Sequence, residues 1–162
     1  MNDEREKRTV EYSRSEWMKM IHYEDINGGG RLFGGRLMQW MDEVAGIAAL
    51  RHSGAEVTTA ACDNLQFKKG AYINELVVII SRLTYVGRTS MEVRVDVYVE
   101  DHDTGVRHPI NRAYFTEVCV DENGRPTPVR YGLELLTEAE RAEWEGAQKR
   151  IEVRKKRRSE GF

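Results

Sequence analysis

Residues 34–54 read GGRLMQWMDEVAGIAALRHSG, and this stretch decides the fold. It contains no proline, begins with two glycines and ends at Gly54, where a left-handed helix stop is natural. We therefore predict a helix that begins at Gly34 or Gly35 and ends at Ser53. The apolar side chains, which leave only a narrow polar stripe, are Leu37, Met38, Trp40, Met41, Val44, Ala45, Ile47, Ala48 and Ala49. Such a helix should be wrapped by other structure rather than lie on a surface.

Segments with strand character flank the predicted helix on both sides. One precedes it at 15–23, and four follow it at 57–67, 76–86, 90–100 and 110–121. Within 90–100, valines and a methionine alternate with charged residues and a tyrosine, which is typical of an antiparallel strand with one wet face. Short turns at 87–89 and 101–105 predict hairpins.

This order of elements predicts an α+β fold, in which an antiparallel sheet of about five strands is wrapped around a long central helix. We place this domain at residues 15–130. Residues 1–14 should form a flexible N-terminus, because the opening residues are mostly charged and polar.

A charged helical extension is predicted at residues 131–162. Thr137 and Glu140 have the spacing of a capping box, and the helix that they open should run to about Arg158. Acidic residues crowd its start and basic residues its end, as the helix dipole favours. The helix is interpreted either as a solvated one or as a basic patch that binds phosphate groups or a second subunit.

Composition excludes several classes of function. Lys and Arg number 25 against 27 for Asp and Glu, so we expect neither nucleic acid nor a membrane as a partner. Cys62, Cys119 and the four histidines have no metal-ligand spacing, and we expect no metal and no cofactor. The free cysteines, the charged start of the chain and the lack of a long apolar run favour the cytoplasm.

Asp42 is the first candidate for chemistry. Its helical neighbours three and four residues away include no cation that could pair with it. A carboxylate that is kept from water becomes a stronger base or a usable nucleophile. The alternative is that Asp42 and Glu43 mark the solvent-facing stripe of the helix.

The glycine-rich run before the helix is the second candidate. The free N–H groups at the start of the helix, near Gly34 and Gly35, could polarise a carbonyl and hold a developing oxyanion. Asn27 borders this loop, and its amide could hold a water molecule or the carbonyl. The alternatives are a plain entry turn and a turn-forming asparagine. Ser53 and Ser90 lack the context of a nucleophile elbow, and His52 is interpreted as a helix cap.

Taken together, these stretches resemble the cytosolic acyl-CoA hydrolase family of HotDog thioesterases. The resemblance covers about residues 15–129. Its motifs are DIN at 25–27, LFGGRLMQWMDEVA at 32–45, AA at 48–49, RH at 51–52, VT at 57–58, GRTSMEV at 87–93, AYFT at 113–116 and VDENGRP at 120–126. The combination of the helix motif with the GRTSMEV turn is far more specific than either part.

The resemblance implies a thioesterase that hydrolyses acyl-CoA to a free fatty acid and coenzyme A. Asp42 would act as general base or nucleophile, and Asn27 would assist from the opposite subunit. Gly34 and Gly35 would hold the thioester oxygen, while the turn formed by Arg88, Thr89 and Ser90 would meet coenzyme A. The assembly would be a homodimer with sheets joined edge to edge, and commonly a hexamer built as a trimer of dimers.

One stretch departs from the family's pattern. Residues 67–75, FKKGAYINE, lack the proline and the Val-Gly pair that the family usually carries there, which leaves the shape of the substrate channel open. Two alternative functions also stay open. One is a hydratase or dehydratase of acyl thioesters, which would require a histidine in or beside the central helix. The other is a non-catalytic protein, either an acyl-CoA sensor or a nucleic-acid-binding module that uses the basic tail.

Overall fold

The computed structural model of the chain describes residues 4–161. Its elements in chain order are β1 (Lys7–Thr9), α1 (Val10–Ser13), β2 (Ser15–Met20), a 3-10 turn (Tyr23–Asp25), α2 (Gly34–Ser53), β3 (Val57–Asp63), β4 (Leu76–Val86), β5 (Ser90–Glu100), β6 (Arg107–Cys119), β7 (Gly132–Glu134) and α3 (Glu138–Glu160). None of the described helices combines the length and the apolar character that a bilayer crossing requires.

The main sheet is antiparallel and has five strands, as predicted, and their order is β2-β4-β5-β6-β3. Helix α2 packs against it with the bounds that the sequence predicts, and Gly54 ends the helix in the left-handed conformation at φ 67°. Trp40, Met41 and Val44 are buried against the sheet. Each buried side chain of this size contributes about 1.5–3 kcal/mol to folding.

The other side of α2 is open in a single chain. Met38 and Leu50 are 40% and 51% exposed, and Asp42 and Glu43 are exposed beside them. The prediction of a helix wrapped on nearly all sides was therefore wrong for this chain alone. The helix leaves an exposed stripe that runs along the same side as Asp42.

Strand ends differ from the prediction where backbone geometry intervenes. Strand β3 ends at Asp63 rather than at residue 67, because Asn64 turns the chain at φ 61°. Strand β2 ends at Met20, and β6 spans Arg107–Cys119. Strands β4 and β5 keep their predicted bounds.

The outer face of β5 is not wet, contrary to the prediction. Glu92 and Asp96 are 1% and 2% exposed. Arginine side chains cover them: Arg150 of α3 pairs with Glu92 at 2.7 Å, and Arg112 pairs with Asp96 at 2.6 Å. The alternation of charged residues therefore marks a face covered by ion pairs and not a solvated one.

The N-terminal segment also differs from the prediction. Residues 1–3 lie outside the described residues, but the flexible terminus predicted at 1–14 contains regular structure from Lys7 to Ser13. Strand β1 pairs in parallel with β7, and the Arg8 guanidinium donates to the carbonyl oxygens of Arg51 and His52 at the end of α2. Charged residues are ordered here because their partners lie far along the chain.

Helix α3 confirms the predicted capping box and lies against the sheet. The Thr137 side chain accepts from the Glu140 N–H, and the Glu140 carboxylate accepts from the Thr137 N–H. Ala147 is buried, and the Trp144 ring lies 4.4 Å from the Tyr85 ring of β4. Ion pairs from Arg150 to Glu92 and from Arg157 to Asp63 also hold this helix on the sheet. The solvated interpretation was therefore wrong for its inner side.

Candidate active site

Asp42 faces outward from the middle of α2 and meets strand β3. The Thr59 hydroxyl donates to Asp42 Oδ1 at 2.6 Å. Thr59 lies opposite Glu117 in the β3–β6 ladder, just before a register shift between Thr59 and Ala61. The predicted carboxylate thus has a neutral donor that orients it, and the described residues give it no cation.

Glu117 is the third member of this cluster. Its carboxyl oxygens lie 3.1 and 3.3 Å from the Thr59 hydroxyl, and its residue surface is only 1% exposed. The pKa of Glu117 is raised to about 7. Burial is the main cause and the charge of Asp42 adds to it, whereas the hydrogen bond with Thr59 acts in the opposite direction. We name Asp42, Thr59 and Glu117 the carboxyl cluster.

Sequence reasoning missed Thr59 and Glu117. Glu117 could have been found, because it occupies an inward position of β6 in series with Ala113, Phe115 and Cys119, all of which are buried. A carboxyl group buried at such a position lowers the stability of the fold, and this cost points to a function. No sequence signal distinguishes Thr59 from its neighbour Thr58.

Asn27 lies in the turn before α2. Its Oδ1 accepts from the N–H groups of Gly29 and Arg31, at 2.9 and 3.3 Å, so Asn27 does form the turn. Its Nδ2 group has no hydrogen-bond partner among residues 4–161. The two interpretations of Asn27 are compatible, because the turn fixes the side-chain oxygen and leaves the amide N–H groups to donate elsewhere.

The start of α2 lies between two aromatic rings. A side chain at Gly34 would meet the Phe67 ring at 3.3 Å, and one at Gly35 would meet the Phe33 ring at 2.6 Å. A side chain at position 35 would therefore require the exposed Phe33 ring to move. The N-cap residue Phe33 offers no side-chain hydrogen bond to the first turn, so the N–H groups there remain available for a ligand.

A cavity of about 240 Å³ opens at this helix start. It is lined by Asn27, Gly34 and Phe67, with apolar walls from Leu37 and Ile110. Asp42 does not line it. Asp42 lies eight positions after Gly34 in the helix, which corresponds to roughly 12 Å along the axis.

The turn at Arg88, Thr89 and Ser90 faces the basic end of α3. These three residues line a cavity of about 500 Å³ together with Arg154 and Arg158. The sequence predicted the turn and the basic helix separately, and the fold brings them together. The cavity suits an anionic group.

His52 and the cysteines offer no alternative site. His52 is fully buried at the end of α2, where burial lowers its pKa to about 4. A buried neutral histidine at this end cannot shuttle protons at the helix start, which disfavours the hydratase alternative. Burial raises the pKa of the Cys62 thiol to about 11, and residues 4–161 contain no cluster of ligands that could hold a metal ion.

The known proteins to which the chain is similar are thioesterases and acyl-CoA hydrolases. A profile of the thioesterase superfamily matches residues 29–106. The chain is 41% identical to an uncharacterized acyl-CoA thioester hydrolase of Bacillus subtilis, over 65% of this chain and 61% of that protein's length. Among solved structures, it is similar to a hexameric acyl-CoA thioesterase, at 37% identity and a TM-score of 0.88, over 94% of this chain and 97% of that one.

A second group of solved structures belongs to an acyl-CoA hydrolase of Staphylococcus aureus. Its complex with butyryl coenzyme A and coenzyme A is 30% identical, with a TM-score of 0.88 over 96% of this chain and 94% of that one. Structures of its alanine variants at an asparagine, an aspartate and a threonine are also known. Those positions are separated by fifteen and seventeen residues, the spacing of Asn27, Asp42 and Thr59 in this chain.

Proposed function

Because the chain belongs to the HotDog acyl-CoA thioester hydrolases of the thioesterase superfamily, we propose that it hydrolyses acyl-CoA to a free fatty acid and coenzyme A. The observation that carries the proposal is the Asp42 carboxylate, which Thr59 orients on the exposed side of the central helix. The chain spans 61% of the length of the Bacillus subtilis relative, so the activity of the whole protein is itself part of the proposal. We propose the cytoplasm as its compartment.

In the proposed mechanism, Asp42 acts on the thioester from its free oxygen. Thr59 donates to Oδ1, which leaves Oδ2 to take a proton from water or to attack the thioester carbon. The exposed position of Asp42 in one chain requires a second subunit to exclude bulk water from the reaction.

The developing oxyanion would be held by the first-turn N–H groups near Gly34 and Gly35, with the Asn27 amide beside them. One such donor typically contributes about 2.7–4 kcal/mol to the transition state. The Asn27 amide donates rather than accepts here, because its oxygen is already used within the turn.

We propose that Asn27 and Asp42 of one active site come from opposite subunits. Within one chain, Asn27 lies in the turn before α2, and Asp42 lies roughly 12 Å along the helix axis from Gly34. Strand β3, which carries Thr59, is an edge strand of the main sheet, and an open edge favours pairing with a second copy. A two-fold dimer that joins two β3 edges would bury the exposed stripe of α2, and three such dimers would form the proposed hexamer.

The coenzyme A portion of the substrate is assigned to the cavity between the turn at Arg88, Thr89 and Ser90 and the end of α3. Its phosphates would meet the guanidinium groups of Arg88 and Arg158, which line that cavity. The acyl chain would enter the cavity beside Phe67 along its apolar wall of Leu37 and Ile110, while Lys68 and Lys69 line another part of it.

The replacement Asp42→Asn tests the chemical role. It preserves the shape of the side chain and its contact with Thr59, but it removes the base. We expect thiol release from acyl-CoA to fall by at least about a hundredfold. The matched control is Glu43→Gln, which makes the same change at the exposed neighbour and should leave turnover within about twofold. An Asp42→Asn enzyme that retains near-normal turnover contradicts the proposal.

Coexpression of Asn27→Ala and Asp42→Asn subunits tests the assignment to opposite subunits. Each variant alone should be inactive. If each site combines residues of two subunits, random mixing restores about a quarter of the sites, because half of the dimers are mixed and each has one intact site. If both residues serve the same subunit's site, mixing restores nothing.

A non-catalytic sensor would show acyl-CoA binding by the wild type with no thiol release at all.

A further inference from the structure

Glu117 is a buried carboxyl group for which the proposed mechanism has no role. It lies on β6 and faces α2, with 1% of its surface exposed. The Thr59 hydroxyl is its only hydrogen-bond partner within residues 4–161, at 3.1 and 3.3 Å from the two carboxyl oxygens. No arginine, lysine or histidine of the described chain forms an ion pair with it.

The protonation state of Glu117 follows from the hydrogens that are available for hydrogen bonds in the carboxyl cluster. The Thr59 hydroxyl has one hydrogen, and the 2.6 Å contact assigns it to Asp42 Oδ1. With that hydrogen used, the contact between Thr59 and Glu117 is attractive only if Glu117 carries a proton and donates it to the Thr59 oxygen. An ionised Glu117 would instead place two carboxylates around one hydroxyl, with the charge of Glu117 itself buried.

The surroundings of Glu117 favour the same state. From α2 it faces the Asp42 carboxylate, from β3 the neutral Thr59, and from β5 the apolar Met91, which is its ladder partner. Among the described residues, Asp42 is the one charged group that acts on it. Burial and this negative charge both raise the pKa of Glu117, to about 7.

We propose that Glu117 is a positioning residue that keeps its proton and donates it to Thr59, so that the Thr59 hydroxyl is fixed on Asp42. The donor chain runs from the Glu117 carboxyl to the Thr59 hydroxyl and on to the Asp42 carboxylate. This inference rests on the proposed role of Asp42. Along this series of donors from Glu117 to Asp42, no covalent bond forms or breaks during turnover.

The proposal implies a pH dependence that Asp42 alone would not produce. When Glu117 loses its proton, both carboxylates compete for the Thr59 hydroxyl, so Asp42 is no longer held in one orientation. Turnover should therefore decline as the pH rises through about 7. The Michaelis constant should change little, because Glu117 is too buried to contact the substrate.

Two substitutions at this position separate positioning from packing. Glu117→Gln keeps the size of the side chain and an N–H donor for Thr59, but it cannot ionise. Glu117→Met keeps the approximate size and removes the donor. We propose to measure kcat and KM of the full chain for an acyl-CoA substrate from pH 5.5 to 9, from the loss of thioester absorbance.

We expect Glu117→Gln to keep kcat within about threefold of wild type at pH 6 and to lose the decline through pH 7. Glu117→Met should lower kcat by about tenfold with KM within about twofold. An unchanged decline in Glu117→Gln would overturn the proposal. Equal kcat values for the Met and Gln variants would overturn it as well, because packing alone would then explain the residue.

A spectroscopic measurement keeps the test independent of turnover. The infrared band of a protonated carboxyl group should be present in the wild-type protein at pH 6, disappear by about pH 8, and be absent from Glu117→Gln at both. Absence of this band from the wild type at pH 6 would overturn the proposal. Two further results separate the claims: no thiol release by the wild type would refute the proposed function, and an active Asp42→Asn variant would refute the role of Asp42. If Asp42→Asn is inactive and Glu117→Gln still declines, only the role of Glu117 fails.

Discussion

Replacing Arg150 with methionine removes the main cation that neutralises the buried carboxylate of Glu92. Glu92 is 1% exposed and accepts from Arg150 Nη2 at 2.7 Å and from Arg150 Nε at 3.2 Å. Methionine keeps the apolar stem of the side chain but leaves the buried charge without its partner. Breaking a buried ion pair on one side typically costs about 3–5 kcal/mol.

Two contacts place the expected cost at the lower end of this range. Arg154 Nη1 lies 3.5 Å from Glu92 Oε2, and the Thr84 hydroxyl donates to Glu92 Oε1 at 2.8 Å, so both still stabilise the carboxylate in the variant. We therefore expect a loss of about 3 kcal/mol in the free energy of unfolding. For a chain of this length, that corresponds to a decrease in Tm of about 6–12 °C.

Thermal unfolding at one fixed protein concentration measures this effect, since the stability of an oligomer depends on concentration. Circular dichroism follows the whole fold. Tryptophan fluorescence, to which Trp17, Trp40 and Trp144 all contribute, responds in part to the docking of α3, because the Trp144 ring packs on Tyr85. The matched control is Lys149→Met, an exposed neighbour that should change stability by less than about 0.5 kcal/mol.

A double substitution completes the test. Adding Glu92→Met to Arg150→Met removes the unpaired charge and should recover most of the loss, because an apolar pair replaces the ion pair. A cost below about 1 kcal/mol for Arg150→Met would refute the reasoning. A double variant no more stable than Arg150→Met would refute it too.

Three further changes give independent checks. The pKa of His52 is about 4 in the folded chain and near 6.5 in the unfolded chain. Between these values the unfolded chain binds more protons, so the free energy of unfolding should rise with pH across this window. His52→Gln should flatten that rise, of about 3 kcal/mol, in urea titrations between pH 4 and 7; an equally steep rise in the variant would contradict the assignment. Gly54→Ala places a side chain at φ 67° and should cost about 1 kcal/mol in thermal unfolding, whereas Gly28→Ala, in open space without a positive φ, should cost less than half of that. Phe67→Ala enlarges the cavity beside Gly34 and should shift the ratio of kcat/KM for long over short acyl chains by about tenfold; an unchanged ratio would remove Phe67 from the acyl site.

Local patterns in the sequence predicted the core of the fold. The bounds of α2, its stop at Gly54 and the hairpin of β4 and β5 follow from periodicity and turn residues, each of which acts within a few positions. The pairing of β1 with β7 has no such signal, because its strands lie more than a hundred residues apart. The covered face of β5 was missed for the same reason, since Arg150 reaches it from α3.

In the candidate site, too, local patterns reveal some residues, and only the fold reveals the others. Asp42 and Asn27 stand out in the sequence by their helix position and their glycine-rich surroundings. Thr59 and Glu117 become neighbours only through the register of β3 against β6. That register depends on a shift after Thr59, which no pattern in the sequence reveals. The part of the site that lies between subunits stays a proposal for the same physical reason: its contacts belong to two chains.

The two buried glutamates of the sheet show why Glu117 calls for a function and Glu92 does not. Glu92 is neutralised by arginines of α3, so its burial contributes to docking that helix. Glu117 has no cation among the described residues, and between its usual pKa of 4.5 and about 7 the folded chain must hold a proton that the unfolded chain releases. Its presence therefore destabilises the fold increasingly as the pH rises through that window. Glu117→Met should consequently unfold at a higher temperature than wild type at pH 8 while turning over more slowly, whereas a lower Tm would mean that the carboxyl group serves the fold itself.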